Sequence, residues 1–275
     1  MSLLRVEGLA KKFGGLNAVE DLSFEIQPGA VYSIIGPNGA GKTTLLNLLS
    51  GVYQPSDGRI FFEEHDLTGR APYEYAGYGI ARTFQNLQVF FNMSALENVM
   101  VGRHLHERCG LVSALLRSRR LAHAEDACRE EAADLMRYVG LHDYLSAAAD
   151  AMPYGALKRL EIARALATRP KLMLLDEPAA GLNPTEALEL DDLIGRLTER
   201  GVTVVLVEHN MRLVMGVSDY ILVLDYGRKL AEGPAVTIRN DPNVIEAYLG
   251  SAVAHDGSFG NAIASAVAVA VEMHR

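Results

Sequence analysis

A chain of 275 residues, 49% hydrophobic and 22% charged, has enough apolar side chain for one large or two small cores and an ordinary globular composition. A net charge of −8 and a pI of about 5.5 disfavour a general binder of the nucleic-acid backbone, although such an average leaves room for a local basic patch, and no nucleic-acid partner is expected. The opening MSLLRVEGLAKKF lacks the apolar core of a signal peptide, Cys109 and Cys128 are the only cysteines, and no apolar run reaches the roughly 20 residues that span a bilayer; the longest, residues 262–271, is too short. A reducing, cytoplasmic setting with at most peripheral membrane association is expected.

In chain order, LLRVEGLA, DLSFEIQPG and GRIFFEE alternate apolar and polar residues between Gly and Pro turns, which predicts an antiparallel sheet flanking a central core. VYSII at 31–35 reads as a buried strand. It runs into Gly36, Pro37, Asn38, Gly39, Ala40, Gly41, Lys42 and Thr43, which fit G-x-x-x-x-G-K-[ST] with a helix beginning behind them. Gly36, Gly39 and Gly41 allow backbone N–H groups to curl around an anion, and the following helix, through Asn47-Leu-Leu, points its positive end at it. Lys42 is placed to meet β and γ phosphates, and Thr43 offers a hydroxyl to Mg²⁺.

Residues 86–168 read as a helix-rich insertion, with amphipathic stretches at 124–139 and 159–167. The spacing of His104, His106, Cys109, His123 and Cys128 matches no strong zinc pattern, and the basic run Arg117, Arg119, Arg120 reads as a solvated face. Next comes a strand at 171–175, stopped by Asp176-Glu177-Pro178, so two carboxylates lie at a strand's C-terminal edge, where open parallel sheets bind ligands. Asp176 is the expected second anchor for the metal. A helix at 185–200 and the strands VTVVLVE and YILVLD continue a βαβ pattern. The stretch from Ser251 onward reads as a flexible extension.

The 36–43 loop, Gln85 in RTFQN, PYGALKRLEIARAL, LMLLDEP and His209 after VVLVE follow the order seen in ATP-binding-cassette ATPases, which the chain resembles over about residues 4–250. ARTFQNLQVF, AAGLNP, EHNMRLVMGVSDYILVLDYG and IRNDPNVIEAYLG make it most similar to the ATP-binding subunit of branched-chain amino acid importers. The resemblance implies an α/β P-loop NTPase core with a flanking antiparallel β subdomain and an inserted helical subdomain. The expected division is 1–85 and 169–250 for the core, 86–168 for the helical subdomain and 251–275 for the extension.

The resemblance also implies ATP and Mg²⁺ as cofactors and a role for each residue. Phe13 stacks on adenine; Gly36 to Thr43, with Thr44, cradles phosphate; Thr43, Gln85 and Asp176 serve the metal. Glu177 polarises the attacking water, helped by Gln85 and Lys42, and His209 contacts the γ-phosphate. Tyr154 and Gly155 clamp the nucleotide held by a second ATP-binding subunit, in a homo- or heterodimer. Transmembrane permease subunits dock on NLQVFFNMSALENV, with Phe90 and Phe91 as candidate anchors, and a solute-binding protein acts through them, at the cytoplasmic face of the inner membrane.

The sequence departs from the family's Leu-Ser-Gly-Gly-Gln signature, reading Met152-Pro153-Tyr154-Gly155-Ala156, and it has Asn183 where an aspartate is often found. Loss of the serine hydroxyl and of an N–H at Pro153 predicts a weaker contact to the neighbour's nucleotide. An ATPase for a lipid or lipopolysaccharide exporter, or for an importer of urea or amides, stands as the alternative. A soluble remodelling cassette is disfavoured because neither a second cassette nor a long coiled coil is seen, and a metabolic kinase because no acceptor motif is found.

Overall fold

The computed structural model describes residues 2–106 and 119–252. In chain order its elements are β1 (Leu4–Phe13), β2 (Leu16–Ile26), β3 (Val31–Ile35), α1 (Lys42–Leu49), β4 (Asp57–Phe62), β5 (His65–Asp66), α2 (Pro72–Tyr78), β6 (Ile80–Arg82) and α3 (Ala95–Gly102). They continue with α4 (Arg119–Tyr138), α5 (Tyr154–Ala167), β7 (Leu172–Asp176), α6 (Pro184–Glu199), β8 (Thr203–Val207), α7 (Met211–Val217), β9 (Tyr220–Asp225), β10 (Arg228–Pro234), α8 (Ala235–Arg239) and α9 (Pro242–Ala252). Contacts divide the chain into two units: Ala71–Val204, and the residues before and after it.

In the unit formed by the two ends of the chain, an antiparallel sheet runs in the order β2-β1-β4-β5. Its register turns period-two alternation into cross-strand rows: Leu4 lies opposite both Ile26 and Phe62, and Val6 opposite Phe24 and Ile60. All six side chains are buried, each contributing about 1.5–3 kcal/mol by leaving water. In the same unit β3 runs parallel to β9, with Tyr32 beside Tyr220 and Ile35 beside Val223, and β10 pairs antiparallel with β9. Every residue of β3 is buried, which explains its unbroken apolar run. Ile35, Ile221 and Val223 pack with Val214 of α7, Ile238 of α8 and Val244 of α9.

In the middle unit β6 runs parallel to β7, pairing Ile80 with Leu172 and Arg82 with Leu174, and the Thr83 N–H extends the ladder to the Leu174 carbonyl at 2.9 Å. Helices α2 and α5 pack on β6. Ser94 and Glu97 cap α3 reciprocally, and Asn183 and Glu186 do the same for α6 behind Pro184. In α4 the buried residues Cys128, Ala132 and Met136 recur every four residues, so one stripe of a polar helix meets the core.

The antiparallel sheet, the parallel strands and the helix-rich middle agree with the sequence expectation, while several boundaries move. The strand expected at 171–175 is Leu172–Asp176, which makes Asp176 its last residue. The amphipathic stretches at 124–139 and 159–167 fall largely within Arg119–Tyr138 and Tyr154–Ala167, and the helix expected at 185–200 is Pro184–Glu199. Short elements without a full period of patterning, α2, β6, β5 and α8, were not foreseen. Cys109 and Arg117 lie outside the described residues, as does the expected extension apart from Ser251 and Ala252, which close α9.

Candidate nucleotide site

The phosphate loop belongs to the unit formed by the chain ends. Pairing of β3 with β9 sets Gly36 against β9 so closely that any Cβ there would run into the Leu224 carbonyl. At Gly41, which has φ of 98° and caps α1, a Cβ would run into the Ala18 carbonyl. Gly39 differs: its φ is 82°, but nothing lies within 4 Å of an added Cβ, so conformation alone demands glycine there. The loop is thus pinned against the protein at both ends and open at its crest, between Asn38 and Ala40, where an anion can sit.

Lys42, the first residue of α1, is buried, and its ammonium donates to the carbonyls of Gly36 at 2.7 Å and Pro37 at 3.0 Å. Its charge is therefore held across the loop. Thr43 is exposed and Thr44 half-buried in the first turn, whose N–H groups have no side-chain cap. Two supports were not foreseen. The Gly227 N–H donates to the Ala40 carbonyl at 3.0 Å from the turn between β9 and β10. Tyr248 of α9 hydrogen-bonds the backbone of Gly36, and burial pushes its phenol well up.

Phe13 ends β1, is 43% exposed, and meets Tyr53 edge-on with ring centroids 5.3 Å apart. The Lys11 ammonium lies 5.1 Å from the Phe13 ring and 5.7 Å from that of Tyr53. The candidate base-stacking position is therefore an aromatic pair with a cation, and Tyr53 and Lys11 join the Phe13 singled out in the sequence. His209 follows β8 and is exposed, its N–H bonded to the Glu208 carboxylate at 3.1 Å.

The acidic strand end belongs to the middle unit. Asp176 closes β7 with 3% exposure, and its Oδ2 accepts from Arg82 Nη2 at 3.0 Å. Burial pushes the Asp176 carboxyl up, and the hydrogen bond and charge of Arg82 pull it back down, with Lys158 helping. Arg82 itself lies over the Phe84 ring at 4.8 Å. Glu177 follows in left-handed backbone, φ 47°, a conformation costing a non-glycine residue about 1 kcal/mol or more. Its Oε2 accepts from Gln85 Nε2 at 2.9 Å, so two residues placed in one task by sequence do touch.

Mg²⁺ takes hard oxygen ligands in a compact shell. In the middle unit Asp176 and Gln85 bring carboxylate and amide oxygens, and in the other unit Thr43 brings an exposed hydroxyl, each of the hard type that the ion takes.

Tyr154 and Gly155 open α5 behind Pro153, the N-cap residue. Pro153 thus stands just outside the helix, and the free N–H groups of its first turn belong to Tyr154, Gly155 and Ala156. The serine hydroxyl and the N–H of the cap residue are missing, and the three first-turn donors remain. Gly155 is buried, and a Cβ there would meet the Glu186 carboxylate. Tyr154 is 44% exposed and packs its ring against Gly181. Phe90 and Phe91 are also exposed, close in sequence to a cavity of about 480 Å³ lined by Asn92, Met93, Glu97, Met100, Val101 and His104.

Residues 19–180 match the family model described as ABC transporter, and residues 228–254 match that of the branched-chain amino acid ATP-binding cassette transporter. The chain is 44% identical over 251 residues to the high-affinity branched-chain amino acid transport ATP-binding protein LivG of Escherichia coli K12, covering 91% of this chain and 98% of that protein. It is 43% identical, with the same coverage, to the corresponding protein BraF of Pseudomonas aeruginosa. Its fold is similar to a nucleotide-free ATP-binding cassette from an ABC transporter, with TM-score 0.78 and 33% identity over 90% of this chain and 99% of that one. It is equally similar to an ADP-bound conformation of such a cassette, with TM-score 0.78 and 32% identity over 91% and 99%. The chain therefore belongs to the ABC transporter family, as one of its ATP-hydrolysing cassettes.

Proposed function

We propose that this cassette powers an importer of branched-chain amino acids, closing on ATP with a second ATP-binding subunit and reopening after hydrolysis. The observation that carries this reading is the identity of 44% to LivG across nearly the whole of both chains. The match of residues 228–254, beyond the general cassette segment, supports the same branch. In this reading 1–85 and 169–250 form the nucleotide-binding core and 86–168 the helical subdomain, where the described helices α3, α4 and α5 lie.

Lys42 and the N–H groups of residues 36–44 hold the phosphates, and Phe13 with Tyr53 meets the adenine face. Thr43, Asp176 and Gln85 hold Mg²⁺, which when bound neutralises the charge that builds on the phosphate oxygens. Glu177, oriented by Gln85, takes the proton of the attacking water, and His209 donates toward the γ-phosphate. Tyr154 and Gly155 serve the nucleotide of the neighbouring subunit through free helix N–H groups. Permease subunits dock near Phe90 and Phe91. As an ATP-binding subunit the chain sits peripherally at the cytoplasmic face; no helix among the described residues is long and apolar enough to cross a membrane.

The test is to assemble the chain with its membrane subunits and binding protein in vesicles and measure ATP turnover with leucine, isoleucine, valine or urea outside. Stimulation by the branched-chain amino acids is expected. Stimulation by urea alone would remove the substrate assignment while leaving the ATPase standing.

A further inference from the structure

Three charged side chains of α5, Lys158, Glu161 and Arg164, recur every three residues and reach one segment, residues 85–90, the first two at its backbone and the third at the Phe90 ring. The Lys158 ammonium donates to the Gln85 carbonyl at 3.0 Å. Glu161 Oε1 accepts the Gln88 N–H at 2.6 Å. Arg164 lies 4.0 Å from that same carboxylate oxygen and 5.3 Å from the centre of the Phe90 ring. On the other side Asn98 of α3, fully buried, accepts the Phe90 N–H at 2.9 Å and donates to its carbonyl at 3.0 Å.

Lys158 and Glu161 are 4% and 3% exposed, so both charges have been taken out of water. Such burial is rarely the most stable solution, because apolar side chains of similar volume avoid the desolvation cost. What the charges add is direction: each fixes one backbone atom of a segment that has no helix or strand ladder of its own. The helix carrying them begins at Tyr154 and Gly155, and the segment they hold begins at Gln85.

We propose that Lys158 and Glu161 are positioning residues that lock the Gln85–Phe90 backbone to α5, so that Gln85 and the Tyr154–Gly155 helix start move as one body. The proposal rests on the reading that Gln85 serves the chain's own nucleotide and Tyr154 and Gly155 the neighbour's. On that reading, a nucleotide gripped at the helix start sets the position of Gln85 beside Glu177. Two hydrolysis sites are then coupled through the first three turns of one helix.

The test uses the full chain assembled with its membrane subunits. Lys158→Met and Glu161→Ala are compared with the conservative Lys158→Arg and Glu161→Gln, measuring kcat and KM for ATP and the amide exchange of residues 85–90. Losing a hydrogen bond to a charged group should speed exchange of that segment by about ten- to a hundredfold. We expect kcat to fall by about tenfold with KM for ATP within about twofold, and the conservative variants to restore kcat. Unchanged exchange and unchanged kcat in both Lys158→Met and Glu161→Ala overturn the proposal. So does a parallel loss of kcat and ATP affinity that the conservative variants fail to restore, since that is the signature of a purely structural role. If Glu161→Ala does not fold, Lys158→Met carries the same test. Gln85→Ala separates the proposal from the reading beneath it. A kcat loss there with none in Glu161→Ala overturns the lock alone, whereas no loss in Gln85→Ala overturns the role given to Gln85.

Discussion

The phosphate loop and the acidic strand end are built from different materials. The loop is made of backbone: Gly36 and Gly41 are forced by carbonyls of β9 and β2, and Lys42 satisfies itself on carbonyls five and six residues away. The strand end is made of side chains from distant parts of the chain. Arg82 meets Asp176 across 94 residues, Gln85 meets Glu177 across 92, and Lys158 reaches the Gln85 carbonyl across 73. A backbone-built site tolerates few residue types at each position, because sterics leave no alternative. A side-chain-built site can exchange partners, and its cost is that each buried charge depends on another.

The largest effect separating the two regions is expected at Glu177. Glu177→Gln should lower turnover by about 10²- to 10⁴-fold while ATP binding, measured by equilibrium dialysis, persists; wild-type turnover would remove the residue from the role of base. Lys42→Met tests the loop in the opposite sense. Loss of a charged donor to phosphate should weaken ATP binding by about ten- to a hundredfold, and unaltered affinity would mean that Lys42 only braces its own loop.

The steric account of the loop is sharpened by two alanines. Gly41→Ala must move the Ala18 carbonyl as well as adopt positive φ, whereas Gly39→Ala meets only the conformational cost, about 1–2 kcal/mol. Urea midpoints should fall further for Gly41→Ala; equal shifts would show that space plays no part. Phe13→Ala should cost about 1 kcal/mol, or roughly fivefold in ATP affinity, and Tyr53→Ala should lower affinity too if the pair acts together.

The smallest effect concerns stability against pH on the side-chain-built region. Burial raises the carboxyl of Glu161 above its ordinary value of 4.5, with the Gln88 N–H and the charges of Lys158 and Arg164 opposing. The folded chain therefore binds this proton more tightly than the unfolded one. Its cost to stability is full above the raised pKa and is relieved as pH falls toward 4.5. Glu161→Gln should remove that part of the pH slope and be neutral or slightly stabilising near pH 8, as thermal melts across pH would register. A clearly destabilised Glu161→Gln at pH 8 would show that the ion pair with Arg164 outweighs the burial of charge.

Much of the first region was legible in the sequence, since the loop's requirements are local. Glycine at 36, 39 and 41 followed by Lys42 and Thr43 encodes a backbone path and a helix start within eight residues. The apolar runs of β3 and β7 marked their strands, and Asp176 and Glu177 were placed at a strand end before any contact was known. The helix boundaries were less legible from periodicity: amphipathic spacing marked 124–139 and 159–167 without fixing where α4 and α5 begin. Tyr53, Lys11 and Tyr248 were missed because each reads as an ordinary surface or core residue until its neighbours are known.

By itself the sequence determined the alternation of strands and helices, the phosphate-binding backbone and the pair of carboxylates, because residue type at short spacing restricts φ, ψ and burial directly. Only the tertiary structure decided which charges those carboxylates answer to. The register of β6 on β7 sets Arg82 beside Leu174, two residues before Asp176, and the packing of α5 brings Lys158 and Glu161 to Gln85 and Gln88. Such pairings depend on strand register and helix packing over 70 residues or more, and no local spacing rule carries that information.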